Sequence, residues 1–220
     1  MTQQDDIKTF DDLSEKYSTW IIKYCSTTFN SPLFLVWYTD IDENSTDRLM
    51  TYKDGKIFAA KSLTNLKATI LSSVDNLIEF QNLNTWLNNF NDFEVKAYCS
   101  YDLTSIGNEI GKNNLDVETI ESFANFVNLY SDFVNQDERN AHLHVYADNE
   151  LIRETWDYFY DCIFWPRFND KEKFETWDRP QLVINSKELL VKLNDIIKIF
   201  DDNIKQAEKA IGPAALRIGR

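Results

Sequence analysis

The sequence predicts an α+β fold: a single domain with a small mixed or antiparallel sheet, including a β-hairpin, packed by several amphipathic helices. Apolar residues recur at helical spacing in several segments, and short apolar or alternating runs separate those segments. The pair Asp54-Gly55 lies between two such runs, as hairpin turns do. Aromatic residues make up 14% of the 220, which is enough for a substantial core. We expect residues 1–210 to form one domain and residues 211–220 to form a flexible tail.

The first half of the chain contains most of the predicted strands. Leu33 to Tyr38 is a continuous apolar run, which predicts a buried strand. The runs on either side of Asp54-Gly55 predict a hairpin with a type I′ turn, because both central positions of that turn have positive φ. The other elements expected here are a helix from Asp11 to Cys25 capped by Thr9, a helix capped by Ser62, a looser helix from Leu77 to Phe90 and a strand from Phe93 to Tyr101.

The second half of the chain is predicted to be mainly helical. Asp116 is a candidate N-cap for a helix from Val117 to about Asn135, whose apolar positions cover more than one face and indicate a central helix. Asn185, followed by Glu188, predicts the start of a last long helix. The other elements expected here are short strands at Leu143 to Ala147 and Gln181 to Ile184, and a helix from Asn149 to Ile163 that Trp165-Pro166 ends.

The negative charge is concentrated in the first two thirds of the chain. The net charge is -13; residues 61–150 hold 5 basic and 14 acidic side chains, whereas residues 151–220 hold 12 of each. Such a surface repels phosphate backbones, so we expect no nucleic-acid partner. It favours a basic partner, whose approach the charge would steer. The alternative is that the acidity serves solubility alone.

The first residues and the cysteine spacing predict a cytoplasmic protein. The first ten residues are polar and acidic, without the basic start and apolar run of a secretion signal. No apolar stretch approaches the roughly 20 residues that a membrane helix needs, so no membrane partner is expected. Cys25, Cys99 and Cys162 are far apart and form no CxxC pair, so we predict neither a disulfide scaffold nor a thiolate zinc site.

The histidines and glycines give little indication of catalysis. Gly107 to Lys112 lacks the spacing and the hydroxyl of a phosphate loop. His142 and His144 are two apart on a predicted strand and would therefore share a face, where they could hold a metal ion. A strand-face pair without a metal is the preferred interpretation, because no cysteine completes the ligand set; the candidate extra ligands are Asp137, Glu138 and Asp148.

One enzyme alternative remains, a magnesium-dependent nuclease or related metalloenzyme. Such enzymes use an acidic residue followed by Glu-x-Lys on a strand to hold the metal and activate water, and Asp92, Glu94 and Lys96 follow that order. The acidity of the region argues against it, because chains that bind DNA usually carry a basic stripe. We therefore expect a binding protein that is not an enzyme and uses no cofactor.

Several segments together carry a family resemblance that extends over most of the chain. They are Trp37 through Ser62, Asn128-Leu129-Tyr130-Ser131-Asp132, Trp156-Asp157-Tyr158-Phe159-Tyr160, Phe164-Trp165-Pro166-Arg167-Phe168 and Trp177-Asp178-Arg179-Pro180. In these segments the chain resembles bacterial immunity proteins of contact-dependent growth inhibition and related polymorphic toxin systems. The resemblance implies a small cytoplasmic protein that binds one toxin domain and blocks its active site or basic substrate cleft. Toxins of this kind are often nucleases.

The candidate contact residues fall into two acidic groups and one pair of aromatic anchors. We predict partner contacts from the loop carboxylates Asp40, Asp42, Glu43 and Asp47, from the anchors Tyr38 and Tyr52, and from a second group of Asp137, Glu138, Asp148 and Glu150. The alternative for each carboxylate is a solvated surface group. The segment from Trp165 to Phe168 is expected to be core.

Overall fold

The computed structural model describes residues 7–41, 45–90 and 93–207. The fold is α+β, as predicted, with helices and two small sheets. The described chain divides into two compact units. The first contains Ser31–Cys99 with the residues up to Lys23 and from Ile204 onward, and the second contains Tyr24–Asn30 and Ser100–Asn203. The single domain predicted for residues 1–210 stays a prediction, and the tail predicted at 211–220 lies outside the described residues.

The first unit is built on the sheets. One sheet has the strand order β3-β2-β1-β5, and in a second sheet β4 pairs with β6 in parallel. β2 and β3 are antiparallel, with Trp37 opposite Leu49. The elements are α1 (Phe10–Tyr17), β1 (Thr19–Cys25), β2 (Leu33–Asp40), β3 (Thr46–Leu49), β4 (Ile57–Ala59), α2 (Leu66–Ser73), α3 (Leu83–Asn88), β5 (Cys99–Asp102) and β6 (Ile204–Gln206), with a 3-10 turn at Val74–Asn76. The boundary of the unit falls within β1, after Lys23, and within β5, after Cys99.

The predicted first helix is half helix and half strand. Thr9 caps it as expected, in a reciprocal capping box with Asp12. The helix ends at Tyr17, because Ser18 adopts a left-handed conformation with φ 47°. The next seven residues form β1, whose β-branched and aromatic side chains favour an extended chain. The prediction of helix to Cys25 was therefore wrong, since the periodicity at Trp20 and Tyr24 fits both structures.

The hairpin forms at Asp54-Gly55, but its turn differs from the predicted type. The Gly55 amide donates to the Tyr52 carbonyl at 2.8 Å, and the Tyr52 amide donates to the Lys56 carbonyl at 2.8 Å. Of the loop residues only Gly55 has positive φ, at 85°. This is a three-residue loop that ends in a left-handed glycine, so the prediction of a type I′ turn was wrong.

Other predictions for this unit were too long. The helix after Ser62 begins only at Leu66, and Ser62 is not its cap. The helix expected from Leu77 is confined to α3, and the strand expected from Phe93 begins only at Cys99. The apolar side chains of these segments, such as Trp86 and the partly buried Val95, belong to or pack against one core cluster, so tertiary packing holds them even where the backbone is not regular.

The second unit is helical. Its elements are α4 (Leu103–Gly111), α5 (Val117–Asn135), a 3-10 helix (Glu138–Leu143), α6 (His144–Ala147), α7 (Glu150–Phe159), a π-helical turn (Tyr160–Phe164), α8 (Trp165–Asn169), α9 (Lys171–Thr176) and α10 (Ser186–Asp202). The predictions of α5 and α10 with their caps Asp116 and Asn185 are confirmed. α5 buries residues on more than one face, including Phe123, Phe126 and Phe133, as a central helix does.

Three predictions in this unit were wrong. Leu143 to Ala147 is helical, and Gln181 to Ile184 has no regular secondary structure. The helix that begins at Glu150 does not end at Trp165-Pro166. The π-helical turn shifts the hydrogen-bond register just before Pro166, which stands in the first turn of α8, where a missing N–H costs little.

A buried carboxylate, Asp201, lies in the second unit. It is 4% exposed and accepts hydrogen bonds from the hydroxyls of Tyr24 at 2.6 Å, Ser26 at 2.9 Å and Thr28 at 2.6 Å. Burial raises the pKa of the Asp201 carboxyl, and the three hydroxyl donors oppose that rise. Burial also raises the pKa of Tyr24 well above its usual value, so its phenol stays a donor. This cluster ties residues 24–28 to the end of α10.

The raised pKa of Asp201 predicts a pH dependence of stability. Because the folded-state pKa lies above the ordinary value of 3.8, the folded chain binds more protons than the unfolded chain between those two values. The contribution of Asp201 to the free energy of unfolding therefore falls as pH rises through that window. Asp201→Asn removes the titration, so the stability difference, wild type minus variant, should decrease as pH rises from about 4. Denaturant unfolding at a series of pH values measures it, and an increasing difference would contradict the assignment.

Within the described ranges, none of the helices is both long and apolar enough to cross a membrane.

Candidate functional site

The predicted acidic loop lies at the end of the β2–β3 pair. Asp40 Oδ2 is 3.3 Å from Arg48 Nε, and the Thr39 hydroxyl donates to Asp47 Oδ1 at 2.7 Å. Both carboxylates are half-buried and already have partners within the chain. Asp42 and Glu43 lie outside the described residues. Partner contact by this loop stays a prediction.

The two predicted aromatic anchors are buried. Tyr38 is 5% exposed and Tyr52 is 6% exposed. The Tyr38 ring stacks on Phe80 with centroids 3.8 Å apart, and Lys205 Nζ lies 4.6 Å from the Tyr52 ring centroid. Both rings belong to the core cluster of the first unit. At these exposures the two rings offer little contact area to a partner.

The second predicted acidic group is partly free. The guanidinium of Arg139 donates to both carboxylate oxygens of Asp137, so this charge is neutralised locally. Glu138, Asp148 and Glu150 are exposed. Within the described part of the chain, the side chains of these three residues make no ion pair or hydrogen bond. They remain available to a partner.

The candidate histidine pair lies on helical turns, so the strand face on which the metal argument depended is missing. His142 is in the 3-10 helix, and its Nδ1 lies 3.0 Å from the Arg139 carbonyl oxygen, while His144 begins α6. Among the described residues, no group of three or more potential ligand side chains is placed to hold a metal ion.

The residues of the nuclease alternative lie before β5. Glu94 and Lys96 are both exposed and stand on a segment without regular secondary structure. Lys96 Nζ lies 2.6 Å from Asp11 Oδ2, so the lysine is held in a surface ion pair. Asp92 lies outside the described residues. Nothing in this local geometry favours the alternative.

A row of exposed carboxylates runs along one face of α7 and the π-helical turn. It consists of Glu150, Glu154, Asp157 and Asp161, which we call the acidic row. The spacings of four, three and four residues place all four on one helix face. The opposite face of α7 is buried through Ile152, Thr155 and Phe159. By helix geometry the row is about 16 Å long.

The carboxylates of the acidic row outnumber the basic residues of their own helical segment. Within the described ranges none of its four side chains makes an ion pair or a hydrogen bond, and Arg153 is the one basic residue between Glu150 and Asp161. At the end of the row, burial first and then the Asp161 carboxylate raise the pKa of the Cys162 thiol, while the Arg179 guanidinium lowers it. The row is thus a linear concentration of negative charge, without an ion pair of its own among the described residues, along α7 and the π-helical turn.

The same exposed face continues into aromatic residues. Trp165 and Phe168 follow Asp161 by four and seven residues and are 50% and 74% exposed; we call them the aromatic end. Their ring centroids are 6.0 Å apart in an edge-on arrangement, and Phe168 is also parallel to the ring of Phe164 at 6.2 Å. The expectation that this segment is core was wrong.

Contacts within the second unit hold the aromatic end in place. Arg167 Nη1 and Nη2 donate to Glu121 Oε2 and Oε1 at 3.0 and 2.6 Å, which ties α8 to α5. Beside it lies a cavity of about 380 Å³, lined by Pro166, Asn169, Asp170, Lys173, Phe174 and Trp177.

The sequence analysis predicted Glu150 as a contact residue but missed the rest of the acidic row and the aromatic end. The signal that could have found it is the series 150, 154, 157, 161, 165, 168, which keeps to one helix face.

The fold and this surface define an α+β protein with an exposed acidic and aromatic helix face. No protein-family model matches the chain, and a comparison with characterised proteins found no match. The structure is similar to the crystal structure of the SatS C-terminal domain in complex with bromine, with a TM-score of 0.56, 10% sequence identity, and coverage of 89% of this chain and 97% of that chain. At that identity the similarity concerns the fold alone.

Proposed function

We propose that this protein is an immunity protein that binds a cognate toxin domain and neutralises it. In this proposal the acidic row occupies a basic substrate cleft of the toxin. The single observation that carries the proposal is the row itself: four exposed carboxylates along one face of α7 and the π-helical turn, none of them in an ion pair among the described residues. The family resemblance of the sequence supports the same reading.

The like-charge pairs of the row are unfavourable for the isolated chain and support a role in binding, although Glu150 also lies in the first turn of α7, where a negative charge is favourable. Carboxylates three or four residues apart on a helix repel one another, at a cost of about 0.2–0.5 kcal/mol for each pair. The row contains three such neighbouring pairs: Glu150 with Glu154, Glu154 with Asp157, and Asp157 with Asp161. Local features that oppose folding stability are typical of functional surfaces. Cationic side chains of a partner would remove the repulsion.

A helix is also a suitable support for such charges. Its backbone is already ordered, so binding restricts only the rotamers of the carboxylate side chains, and less free energy is lost on association than with a flexible loop. A cleft that attracts phosphate groups attracts a row of carboxylates for the same electrostatic reason, and the long-range field speeds the encounter. Glu138 and Asp148 precede the row in sequence and are exposed as well.

The test is direct binding and neutralisation. The purified chain is mixed with the toxin domain encoded by the neighbouring gene, and both affinity and toxin activity are measured. We expect a complex with a submicromolar Kd, because specific acidic–basic pairs of this kind bind tightly, and loss of toxin activity at equimolar protein. Absence of a complex at micromolar concentration, or a complex in which the toxin keeps its full activity, would overturn the proposal.

A further inference from the structure

The aromatic end presents two large rings to solvent side by side. Single exposed apolar side chains are common on protein surfaces, whereas adjacent exposed aromatic residues mark interaction sites. Trp165 and Phe168 are neighbours in space, with the edge of one ring against the face of the other. Within the described chain their aromatic contacts are with each other and with Phe164, and Trp165 and Phe168 remain 50% and 74% exposed.

Negative charge lies next to these rings. Asp161 is one helical turn before Trp165 on the same exposed face, and Asp157 is one turn further back. A ring face attracts a cation through its quadrupole, and a carboxylate attracts it through its charge. A group that is planar, cationic and able to donate two parallel hydrogen bonds satisfies both at once. Among protein side chains, arginine alone has these properties.

The second unit already uses this chemistry internally. The guanidinium carbon of Arg179 lies 4.5 Å from the centroid of the Phe174 ring, and that of Arg167 lies 6.0 Å from the same centroid. Arg167 at the same time donates two hydrogen bonds to Glu121. One arginine in the fold thus lies over an aromatic ring and pairs with a carboxylate, which is the arrangement that the aromatic end and Asp161 offer to a partner.

We propose that the aromatic end together with Asp161 is a docking site for arginine side chains of a protein partner. The ring faces of Trp165 and Phe168 stack against the guanidinium, and Asp161 accepts its hydrogen bonds. The site prefers arginine to lysine, because the ammonium of lysine cannot stack and is more strongly hydrated. The identity of the partner as a toxin domain rests on the proposed function, but the arginine preference does not.

The experiment compares hexa-arginine and hexa-lysine, two probes of equal charge, by fluorescence anisotropy on the full chain. We expect the wild type to bind hexa-arginine at least about five-fold more tightly than hexa-lysine. The double variant Trp165→Leu, Phe168→Leu keeps apolar bulk and removes the rings, so the preference should fall to about equal affinity through weaker binding of hexa-arginine. Tyr98→Leu, which removes an exposed ring from the first unit, is the matched control and should keep the preference.

Three results would overturn this proposal: equal affinity of the wild type for both probes, an arginine preference that persists in the double variant, or no binding of either probe. Both substituted residues are exposed, and a thermal melt of the double variant checks that the fold is intact. The outcome is separable from that of the proposed function. If the chain prefers hexa-arginine but forms no complex with the toxin domain, the arginine site stands and the immunity role is overturned. If the chain binds the toxin domain but shows no arginine preference, only the arginine site is overturned.

Discussion

Replacing Asp201 by alanine is expected to lower the free energy of unfolding by about 3 kcal/mol. The carboxylate accepts three hydrogen bonds from hydroxyls, and a hydrogen bond to a charged group contributes about 1.5–3 kcal/mol. Relief of the buried charge offsets part of this loss, since burial is the cause of the raised pKa. The balance stays unfavourable, because Tyr24 and Ser26 are themselves buried and their hydroxyls lose their acceptor.

Denaturant unfolding measures this effect, and Asp195→Ala is the matched control. Asp195 is on the same helix, is about half exposed and lies 3.7 Å from Lys192 Nζ, so its removal should change stability by no more than about 0.5 kcal/mol. Asp201→Asn should lie between the two variants, because the amide keeps one acceptor oxygen. Equal stability of Asp201→Ala and Asp195→Ala would show that the buried cluster contributes nothing.

Neutralising the acidic row is expected to weaken toxin binding by on the order of 100-fold. The variant carries Glu150→Gln, Glu154→Gln, Asp157→Asn and Asp161→Asn, which keep side-chain size and remove four charges. Its free energy of unfolding should stay within about 1 kcal/mol of the wild-type value, because relief of the three like-charge pairs is offset by loss of the favourable Glu150 charge in the first turn of α7. Unchanged or higher stability together with a loss of affinity cannot come from misfolding. Titration calorimetry and denaturant unfolding measure the two quantities.

The matched control removes the same number of charges elsewhere in the second unit. Its substitutions are Glu118→Gln, Glu175→Gln, Glu188→Gln and Asp195→Asn, all at exposed positions outside the row. It should lose less than about ten-fold in affinity, since only the long-range field changes. The affinity of the row variant should also depend less on salt. If the two variants lost affinity equally, the contribution of the acidic row would be a general effect of net charge and not of its position on the helix.

The long elements of the fold could be predicted from the sequence, and the short ones could not. α5 and α10 have apolar periodicity over several turns and a side-chain cap, so local and tertiary preferences agree. The segment after Ser18 has apolar residues that fit a helix face and a strand equally well, and pairing within the sheet decides the outcome. The chain switches from helix to strand at Ser18, whose φ is positive, and no feature of the sequence indicates that switch.

The candidate site was predictable only in part, because exposure depends on tertiary packing. The sequence predicts Tyr38 as an aromatic anchor, but its strand position points its ring into the core against Phe80. It also predicts that Trp165 to Phe168 is core and that Trp165-Pro166 ends a helix. The π-helical turn carries the helix past Pro166, and the side chains of Trp165 and Phe168 stay exposed to solvent.

The most direct test of the central claim is carboxyl footprinting of the chain with and without the toxin domain. The reagent labels exposed carboxylates, and mass spectrometry reports the labelling of each residue. We expect Glu150, Glu154, Asp157 and Asp161 to lose labelling in the complex, while Glu175, Glu188 and Asp195 keep it. A complex in which the four carboxylates of the acidic row label as fully as in the free chain would contradict the account.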